Sequence, residues 1–268
     1  MNQTKLHVKS VGQGVDIVML HGWGVNSAVF NALPDMLPEY RFHLVDLPGF
    51  GESPSIEGDI EDWLAHILAS VPPTAVWIGW SLGGLIASLA AIKYPQRVSA
   101  LCTIASSPCF MAREQESWPG IPPSVLAQFA SQLQQDLSKT VERFLAIQAM
   151  GSQTAKADIK QLKQWVLAKP QPQFLALEQG LAMLANVDIR TQTSDIKQPW
   201  LRLWGKLDGL VPRKVIKLAP VMPNTEDVIL AKASHAPFIS HSEEFVASLQ
   251  AWLQSTAFTA ANGSNRSE

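Results

Sequence analysis

The chain has 268 residues and a formal net charge of −2, and 47% of it is hydrophobic against 16% charged. This length is enough for one large hydrophobic core, with or without an insertion. So small a net charge excludes a protein that depends on a global attraction to nucleic acid or to a membrane surface. No stretch approaches the roughly 18 apolar residues of a membrane-spanning helix, and the polar residues 1–10 lack the apolar segment of a secretory leader.

In its first part the chain alternates strand and helix patterns. Short apolar runs bounded by turn residues indicate strands, and amphipathic stretches that begin at a capping residue indicate helices. In chain order we predict strands over residues 5–11, 15–20, 41–47, 75–78 and 98–105, and helices over residues 26–37, 59–70 and 85–93. This alternation predicts an α/β fold with a mostly parallel sheet, helices on both faces and right-handed crossovers.

The alternation stops after Ser107 and resumes near residue 194. Between them we predict helices over residues 124–133, 137–150, 154–168 and 174–185. Because this segment is too long for a loop inside a compact domain, we interpret residues 108–193 as an all-helical cap over a core formed by residues 1–107 and 194–254.

The last part of the chain returns to the core pattern. We predict strands over residues 200–204 and 227–232, and helices over residues 212–218 and 242–253. Residues 255–268 are small and polar and predict a disordered tail.

The cysteine content argues against disulfides. The two cysteines, Cys102 and Cys109, are too few for a disulfide framework, so we expect both to be reduced and packed as small apolar side chains in a cytoplasmic protein. No cluster of His and Cys has the spacing of metal ligands, and we expect no metal site.

A sharp strand-to-helix turn carries the first candidate catalytic residue. The sequence Gly79-Trp80-Ser81-Leu82-Gly83 follows a predicted strand and precedes a predicted helix, which is the context of a G-x-S-x-G nucleophile elbow. The glycines leave room for a strained backbone at Ser81. The serine hydroxyl would then stand above the sheet, at the positive end of the following helix. We predict that Ser81 is a nucleophile.

A serine hydroxyl needs an oriented base, and in an open parallel sheet such partners come from the carboxyl ends of other strands. Asp208 and His235 each follow one of the two late strands, in the chain order Ser, Asp, His. We predict His235 as general base and acid, with Asp208 holding its tautomer. Asp46 and Asp195 are rival acids, but Asp46 precedes a Pro-Gly turn and is interpreted as structural.

The oxyanion of the tetrahedral intermediate needs two hydrogen-bond donors. We predict the backbone N–H of Leu82, which follows the nucleophile, and that of Trp23, in the loop after the strand at residues 15–20. His21 also follows that strand, and we interpret it as shaping this loop rather than as a base.

Several stretches resemble a known family. The His21-Gly22-Trp23 loop, the turn that begins at Asp46 and the elbow at Ser81 resemble the α/β-hydrolase superfamily over nearly the whole chain. More narrowly, the chain resembles the pimeloyl-[acyl-carrier protein] methyl ester carboxylesterases of biotin biosynthesis. That narrower resemblance rests on Leu20-His21-Gly22-Trp23-Gly24, Gly79-Trp80-Ser81-Leu82-Gly83-Gly84, Ala105-Ser106-Ser107-Pro108-Cys109-Phe110, Thr140-Val141-Glu142-Arg143-Phe144-Leu145-Ala146, Asp208-Gly209-Leu210-Val211-Pro212-Arg213-Lys214 and His235-Ala236-Pro237-Phe238-Ile239-Ser240-His241.

The resemblance implies an activity and a set of substrate contacts. It implies a serine esterase without a cofactor, which hydrolyses the methyl ester of an acyl chain borne by acyl carrier protein. The contacts that it implies are Trp23, Ser81, Leu82, His235, Phe144, Leu145, Ala146, Ile147 and Gln148. Ile147 is a conservative aliphatic departure from the family pattern, and the tail after about Ser255 lies outside the resemblance.

The cap carries an excess of basic residues between Leu137 and Lys169. Lys139 and Arg143 are four residues apart, as are Lys156 and Lys160, so each pair shares one helix face. A basic cap on a slightly acidic chain can steer an acidic partner to the active-site mouth. Acyl carrier protein is such a partner, and we predict that these four residues dock it, although a solvated helix face would show the same pattern.

The residues leave other functions open. A general short-chain carboxylesterase, a lipase-like enzyme or a carbon–carbon-bond hydrolase would share the same Ser81, Asp208 and His235, and small esters would then be the substrates. A non-catalytic protein that binds a ligand under its cap is a further alternative, but such a protein would be expected to lose one of those three residues. We expect a monomer.

Overall fold

The computed structural model describes residues 4–148, 155–219 and 221–264. Its centre is one seven-stranded sheet in the order β1-β3-β2-β4-β5-β6-β7. All strand pairs are parallel except β1 with β3, which is antiparallel. The strands are β1 (Val8–Gly12), β2 (Val15–Leu20), β3 (Tyr40–Val45), β4 (Ala75–Trp80), β5 (Val98–Ile104), β6 (Trp200–Gly205) and β7 (Thr225–Leu230). The predicted mostly parallel α/β sheet is confirmed.

Helices join these strands and form the segment between β5 and β6. The α-helices of the described residues are α1 (Leu33–Met36), α2 (Ile60–Ser70), α3 (Leu82–Lys93), α4 (Pro123–Gln135), α5 (Leu137–Gln148), α6 (Ala155–Leu167), α7 (Phe174–Asn186), α8 (Lys214–Leu218), α9 (Pro237–Ser240) and α10 (Ser242–Ser264). Helices α4 to α7 all lie within residues 108–193, where the sequence predicts a cap. Residues 149 and 150 of one predicted cap helix, and residue 154 of the next, lie outside the described residues.

Burial along the strands explains why the core is where it is. Every residue of β4 and β6 is buried, because these strands have neighbours on both edges and helices over the sheet. The edge strands β1 and β7 are largely exposed. The residues that follow β4 and β6 therefore leave fully buried strands, whereas those that follow β7 leave an edge strand whose last residue, Leu230, is buried.

One predicted helix is wrong. Residues 26–37 do not form a continuous helix but a 3-10 turn over Ser27–Phe30 followed by the short α1. A continuous α-helix would need a hydrogen bond from residue 34 to the carbonyl of Phe30, and Pro34 has no N–H to give. The side chain of Asn26 instead caps the 3-10 turn by accepting a hydrogen bond from the N–H of Ala28 (3.1 Å).

The predicted disordered tail is also corrected for residues 255–264, because α10 continues to Ser264. Alanine is the strongest helix former, and this stretch contains several. The hydroxyls of Ser255 and Thr256 donate to the carbonyls of Trp252 and Leu253 (2.8 and 2.9 Å), so they remain compatible with the helix. Residues 265–268 lie outside the described residues.

Candidate active site

Ser81 lies at the turn from β4 to α3, with φ 55° and ψ −120°. A positive φ is rare for a side-chain-bearing residue and costs about 1–3 kcal/mol, which the surrounding packing must offset. The neighbouring glycines make this turn possible, because a Cβ on Gly79 would lie 2.2 Å from the carbonyl oxygen of Gly83. The N–H of Ser81 donates to the carbonyl of Ile104 (2.9 Å), which ties the turn to β5.

The structure brings Ser81, His235 and Asp208 together. His235 Nε2 lies 2.9 Å from Ser81 Oγ, and His235 Nδ1 lies 2.8 Å from Asp208 Oδ2. The other carboxylate oxygen, Asp208 Oδ1, accepts hydrogen bonds from the N–H groups of Leu210 (2.8 Å) and Val211 (3.0 Å). All three catalytic candidates are buried. Since a carboxylate only accepts, Nδ1 carries the proton and Nε2 faces the serine as the free base.

Trp80 fixes the position of His235, a contact that the sequence did not predict. The Trp80 indole N–H donates to the backbone carbonyl of His235 (2.7 Å), and the two rings are 5.8 Å apart between centroids. This hydrogen bond holds the loop after β7 against the elbow that carries Ser81.

The loop after β2 lies close to Ser81, as predicted. A Cβ added to Gly22 would lie 3.1 Å from the Ser81 Cβ. Leu82 is the first residue of α3, so its N–H cannot have a partner within that helix. Among the described residues, the backbone N–H groups of Trp23 and Leu82 find no protein acceptor. Both amides are therefore available to a ligand.

The helices between β5 and β6 cover this loop. The Trp23 indole N–H donates to the carbonyl of Leu177 in α7 (2.8 Å). The rings of Trp23 and Phe144 of α5 meet edge to face at 4.7 Å. Helix α7 approaches so closely that a Cβ on Gly180 would lie 2.6 Å from Trp23 Cδ1 and 3.4 Å from Leu82 Cδ2. The cap thus packs directly on two of the candidate site residues.

The comparison with known proteins agrees with this architecture. The sequence profile of the alpha/beta hydrolase fold family matches residues 17–242. The chain belongs to the α/β-hydrolase fold family.

Two relatives of this α/β-hydrolase have the same name. A protein of Shewanella woodyi is 61% identical over 93% of this chain and 98% of its own length, and is called pimeloyl-[acyl-carrier protein] methyl ester esterase. A protein of Serratia marcescens with the same name is 48% identical, again over 93% of this chain and 98% of its own length. Each alignment leaves out only 7% of this chain, so the similarity extends far beyond the elbow.

Solved structures share the fold at low sequence identity. An esterase from Exiguobacterium antarcticum superimposes with a TM-score of 0.83 at 22% identity, covering 94% of this chain and 96% of its own. An enol-lactonase from Burkholderia xenovorans superimposes with a TM-score of 0.81 at 17% identity, covering 94% of this chain and 98% of its own. These structures show that the chain shares their fold although the sequences are only 17–22% identical, and they give no information about its substrate.

The cap residues that the resemblance implies as substrate contacts differ in how deeply they are buried. Phe144 and Leu145 are buried, and Phe144 packs between Trp23 and Phe129. Ile147 is half-buried and Ala146 is exposed. Gln148 is the last residue of α5, and its side chain lies outside the described part of the structure.

The predicted basic residues lie on two adjacent cap helices. Lys139 and Arg143 are exposed on α5, and Lys156 and Lys160 are exposed on α6. The Lys139 ammonium lies 3.0 Å from Asp136, and the Arg143 guanidinium donates to Gln132 (2.8 Å) and lies over the Phe129 ring.

Two other cap lysines are engaged in ion pairs. Lys163 pairs with Glu142 of α5 (3.2 Å), and Lys169 pairs with the buried Asp46 (2.8 Å). The exposed positive charge of α5 and α6 is therefore carried mainly by the predicted four residues.

His21 is neutral and supports the loop, as the sequence suggested. Its Nδ1–H donates to the carbonyl of Gly22 (2.8 Å), and its Nε2 accepts from the N–H of Leu47 (3.0 Å). Complete burial lowers the pKa of His21 to about 4, against the opposing pull of the nearby Asp46 carboxylate. A second proton on Nε2 would face the N–H of Leu47, so both nitrogens are committed and His21 has none to offer as a base.

This pKa predicts a loss of stability in mild acid. In the unfolded chain His21 takes up a proton near its ordinary pKa of 6.5, whereas in the folded protein it does so only near 4. The unfolded state therefore binds more protons, and the free energy of unfolding should fall as the pH drops from about 6.5 towards 4.

Denaturant titration across that pH range measures this effect. His21→Gln should flatten the dependence, while His66→Gln, at a half-buried histidine whose ring bonds the carbonyl of Thr4, should leave it unchanged. Equal slopes in His21→Gln and the unmutated protein would contradict the assignment.

A second Ser–His–Asp chain lies far from the elbow. Ser10 Oγ is 2.9 Å from His43 Nδ1, and His43 Nε2 is 2.7 Å from Asp16 Oδ1. Ser10 lies inside the edge strand β1, directly opposite His43 on β3. No helix begins at Ser10, so this serine has no N-terminal amides aimed at its hydroxyl. The chain of hydrogen bonds ties β1, β2 and β3 together, and we interpret it as structural.

Within the described residues, no group of three or more His, Cys, Asp or Glu side chains comes close enough to hold a metal ion. The described helices also include none that is both long and apolar enough to cross a membrane.

Proposed function

We propose that this chain is a serine carboxylesterase that hydrolyses the methyl ester of pimeloyl-[acyl-carrier protein], releasing methanol and freeing the pimeloyl carboxylate in biotin biosynthesis. The observation that carries the proposal is the 61% identity to a protein of that name over 93% of the chain. The hydrogen-bonded Ser81, His235 and Asp208 supply the chemistry that such an enzyme needs.

In the acylation step, Ser81 Oγ attacks the carbonyl carbon of the methyl ester while His235 Nε2 takes the hydroxyl proton. Asp208 keeps the other imidazole proton on Nδ1 and stabilises the imidazolium that forms. The tetrahedral intermediate then collapses, the bond to the methoxy oxygen breaks, and His235 returns the proton to that oxygen. Methanol leaves, and the acyl chain remains bound as an ester on Ser81.

In the deacylation step, water replaces the serine as nucleophile. His235 takes one proton from the water as its oxygen attacks the acyl carbon, and then returns it to Ser81 Oγ when the acyl–serine bond breaks. The products are the pimeloyl carboxylate and the regenerated serine. The thioester that joins the chain to its carrier is left intact.

The backbone N–H groups of Trp23 and Leu82 would hold the oxyanion in both steps. The proposal draws on their place beside Ser81 and on the absence of protein acceptors for them in the described residues. In comparable enzymes the loss of one such donor lowers turnover by about 100- to 1000-fold. The Trp23 and Phe144 rings pack on each other beside these amides, and the methylene chain of the substrate would lie near this apolar pair.

The exposed cations of α5 and α6 would receive the carrier. Lys139 and Arg143 on α5 and Lys156 and Lys160 on α6 are exposed cations that would attract acyl carrier protein, which is acidic. Opposite charges raise the rate of encounter by about 10- to 1000-fold at low salt. The same helix α5 carries Phe144 toward Trp23, so docking on these cations would deliver the acyl chain to the site.

Charge reversal tests docking on these cations. The double variant Arg143→Glu with Lys156→Glu should lower kcat/KM for the carrier-bound methyl ester by about 10- to 100-fold, because it replaces attraction by repulsion. Hydrolysis of p-nitrophenyl acetate should be unchanged, since this small ester needs no docking. The variant Lys93→Glu, at the end of α3 remote from Ser81, serves as the control. Unchanged hydrolysis of both substrates by the double variant would contradict docking on these cations.

A direct comparison of substrates tests the activity itself. The proposal expects a much higher kcat/KM for the carrier-bound pimeloyl methyl ester than for p-nitrophenyl acetate. A strong preference for the free ester would favour a general short-chain carboxylesterase instead. A cytoplasmic, monomeric enzyme fits the proposal, and size-exclusion chromatography with light scattering tests the monomer.

A further inference from the structure

Lys169 connects the cap to the core at a buried position. It follows α6 and precedes Pro170, which cannot continue a helix. The Lys169 ammonium donates to Asp46 Oδ2 (2.8 Å) and to Ser27 Oγ (3.1 Å). Its side chain is 14% exposed and that of Asp46 is 0% exposed. We call Lys169, Asp46 and Ser27 the cap anchor.

The carboxylate of Asp46 joins three segments of the chain at this point. Asp46 Oδ1 accepts from the N–H of Ser27 (2.9 Å), which lies just after the Trp23 loop. Asp46 Oδ2 accepts from the N–H of Glu52 (3.0 Å), in the turn after β3. Lys169 adds the cap as the third segment. Lys169 therefore reaches the segment after the Trp23 loop both through the Asp46 carboxylate and by its own hydrogen bond to Ser27 Oγ.

Two further hydrogen bonds tie the same loop to the cap. The Asn26 side-chain amide donates to the carbonyl of Val166 in α6 (3.2 Å), and the Trp23 indole donates to the carbonyl of Leu177 in α7 (2.8 Å). The loop is thus bonded to the cap on both sides of the Lys169 position. Of these ties, only the cap anchor is an ion pair, and a buried pair that loses one partner leaves an uncompensated charge.

We propose that Lys169 is a positioning residue, whose ion pair with Asp46 holds the Trp23 loop in the geometry that the oxyanion requires. This inference rests on the proposed function. The Trp23 amide acts only on the transition state, so its misalignment lowers kcat and leaves KM largely unchanged. A displacement of about 1 Å at a reacting centre is enough to cost about 100-fold in rate.

The test is steady-state kinetics on p-nitrophenyl acetate, a substrate that needs no carrier docking. Lys169→Met keeps the length of the side chain and removes its charge. We expect kcat to fall by about 10- to 100-fold with KM within about threefold of the unmutated protein. Lys169→Arg keeps the cation and should retain kcat within about threefold. Lys163→Met removes a cap ion pair that stays within α5 and α6, and should leave both constants unchanged.

Three outcomes would overturn the inference: an unchanged kcat in Lys169→Met, an equal loss in Lys163→Met, or a rise in KM that accounts for the whole effect. If Lys169→Met does not fold, the double variant Lys169→Met with Asp46→Asn can be used instead. It removes both buried charges together, so that no unpaired carboxylate is left to destabilise the fold. Its kcat should still fall by about 10-fold or more, and a normal kcat would contradict the proposal.

The failure of this inference is distinguishable from failure of the proposed function. If Ser81→Ala loses activity while Lys169→Met does not, the esterase mechanism stands and the anchor does not. If Ser81→Ala keeps activity, the proposed function fails regardless of Lys169.

Discussion

Replacement of Ser81 by alanine should lower kcat for ester hydrolysis by about 10⁴- to 10⁶-fold. The variant lacks the oxygen that forms the acyl-enzyme, and only the oxyanion donors and substrate binding remain. The fold should survive, because Ser81 contributes its strained backbone and not its hydroxyl to the turn between β4 and α3. Turnover of p-nitrophenyl acetate and of the carrier-bound ester, with thermal unfolding in parallel, measures both parts of the prediction.

The second Ser–His–Asp chain of the molecule offers a matched control. Ser10→Ala removes a hydroxyl that is bonded to a histidine just as the Ser81 hydroxyl is (2.9 Å in both). Because Ser10 lies inside an edge strand without a helix N-terminus, its loss should leave kcat within about twofold. Full activity in Ser81→Ala would contradict the mechanism. A large loss in Ser10→Ala would contradict the interpretation of the Ser10–His43–Asp16 chain as structural.

The variant Asp208→Asn should lower kcat by about 10⁴-fold while leaving the geometry nearly intact. The carboxylate holds the proton on His235 Nδ1 and leaves Nε2 free to accept the proton of Ser81. An asparagine amide in its place can donate to Nδ1, which favours the tautomer with the proton on Nε2. In that tautomer Nε2 cannot accept the proton of Ser81. The measurement is kcat together with the far-ultraviolet circular dichroism of the variant.

The rival acid Asp195 is the control for this prediction. It ends the 3-10 segment Arg190–Asp195 and is exposed, so Asp195→Asn should leave kcat unchanged. A loss in Asp195→Asn as large as in Asp208→Asn would contradict the assignment of the acid.

Much of the site could be predicted because its main residues follow parallel strands. Ser81 comes directly after β4, Asp208 lies three residues after β6 and His235 lies five residues after β7, and the carboxyl ends of parallel strands meet at one edge of a sheet. Strand periodicity and chain order were therefore enough to predict that three residues lie close together although they are 27 or more positions apart in sequence. The same reasoning placed the Trp23 loop beside the elbow.

Contacts between distant side chains left no signal in the sequence. Trp80 and His235 are 155 residues apart, and Lys169 and Asp46 are 123 residues apart. In the sequence, Lys169 is one of several basic residues of the predicted cap, and nothing distinguishes it from the others. Only the structure shows that its ammonium reaches the buried carboxylate of Asp46. Local periodicity identifies which face of a helix is apolar but not which partner meets it.

The two incorrect element predictions have local causes. The helix over residues 26–37 was predicted from its apolar spacing, and the missing N–H of Pro34 broke it. The small polar residues of the tail predict disorder from residue 255 onwards, whereas α10 continues to Ser264, in a stretch rich in the strong helix former alanine. The resemblance implies substrate contacts at residues 144–148 of α5. Because successive residues of a helix point in different directions, Ala146 is exposed while Phe144 and Leu145 are buried.

If Ser81 cleaves a methyl ester on a carrier-bound chain, the products of one turnover reveal it. The purified protein is mixed with pimeloyl methyl ester on acyl carrier protein, methanol is quantified, and the carrier is examined by intact-mass spectrometry. We expect one methanol per carrier consumed, with the pimeloyl chain still attached through its thioester and no reaction in Ser81→Ala. A carrier that returns as the free thiol, or one that is unchanged while small esters are hydrolysed, would contradict it.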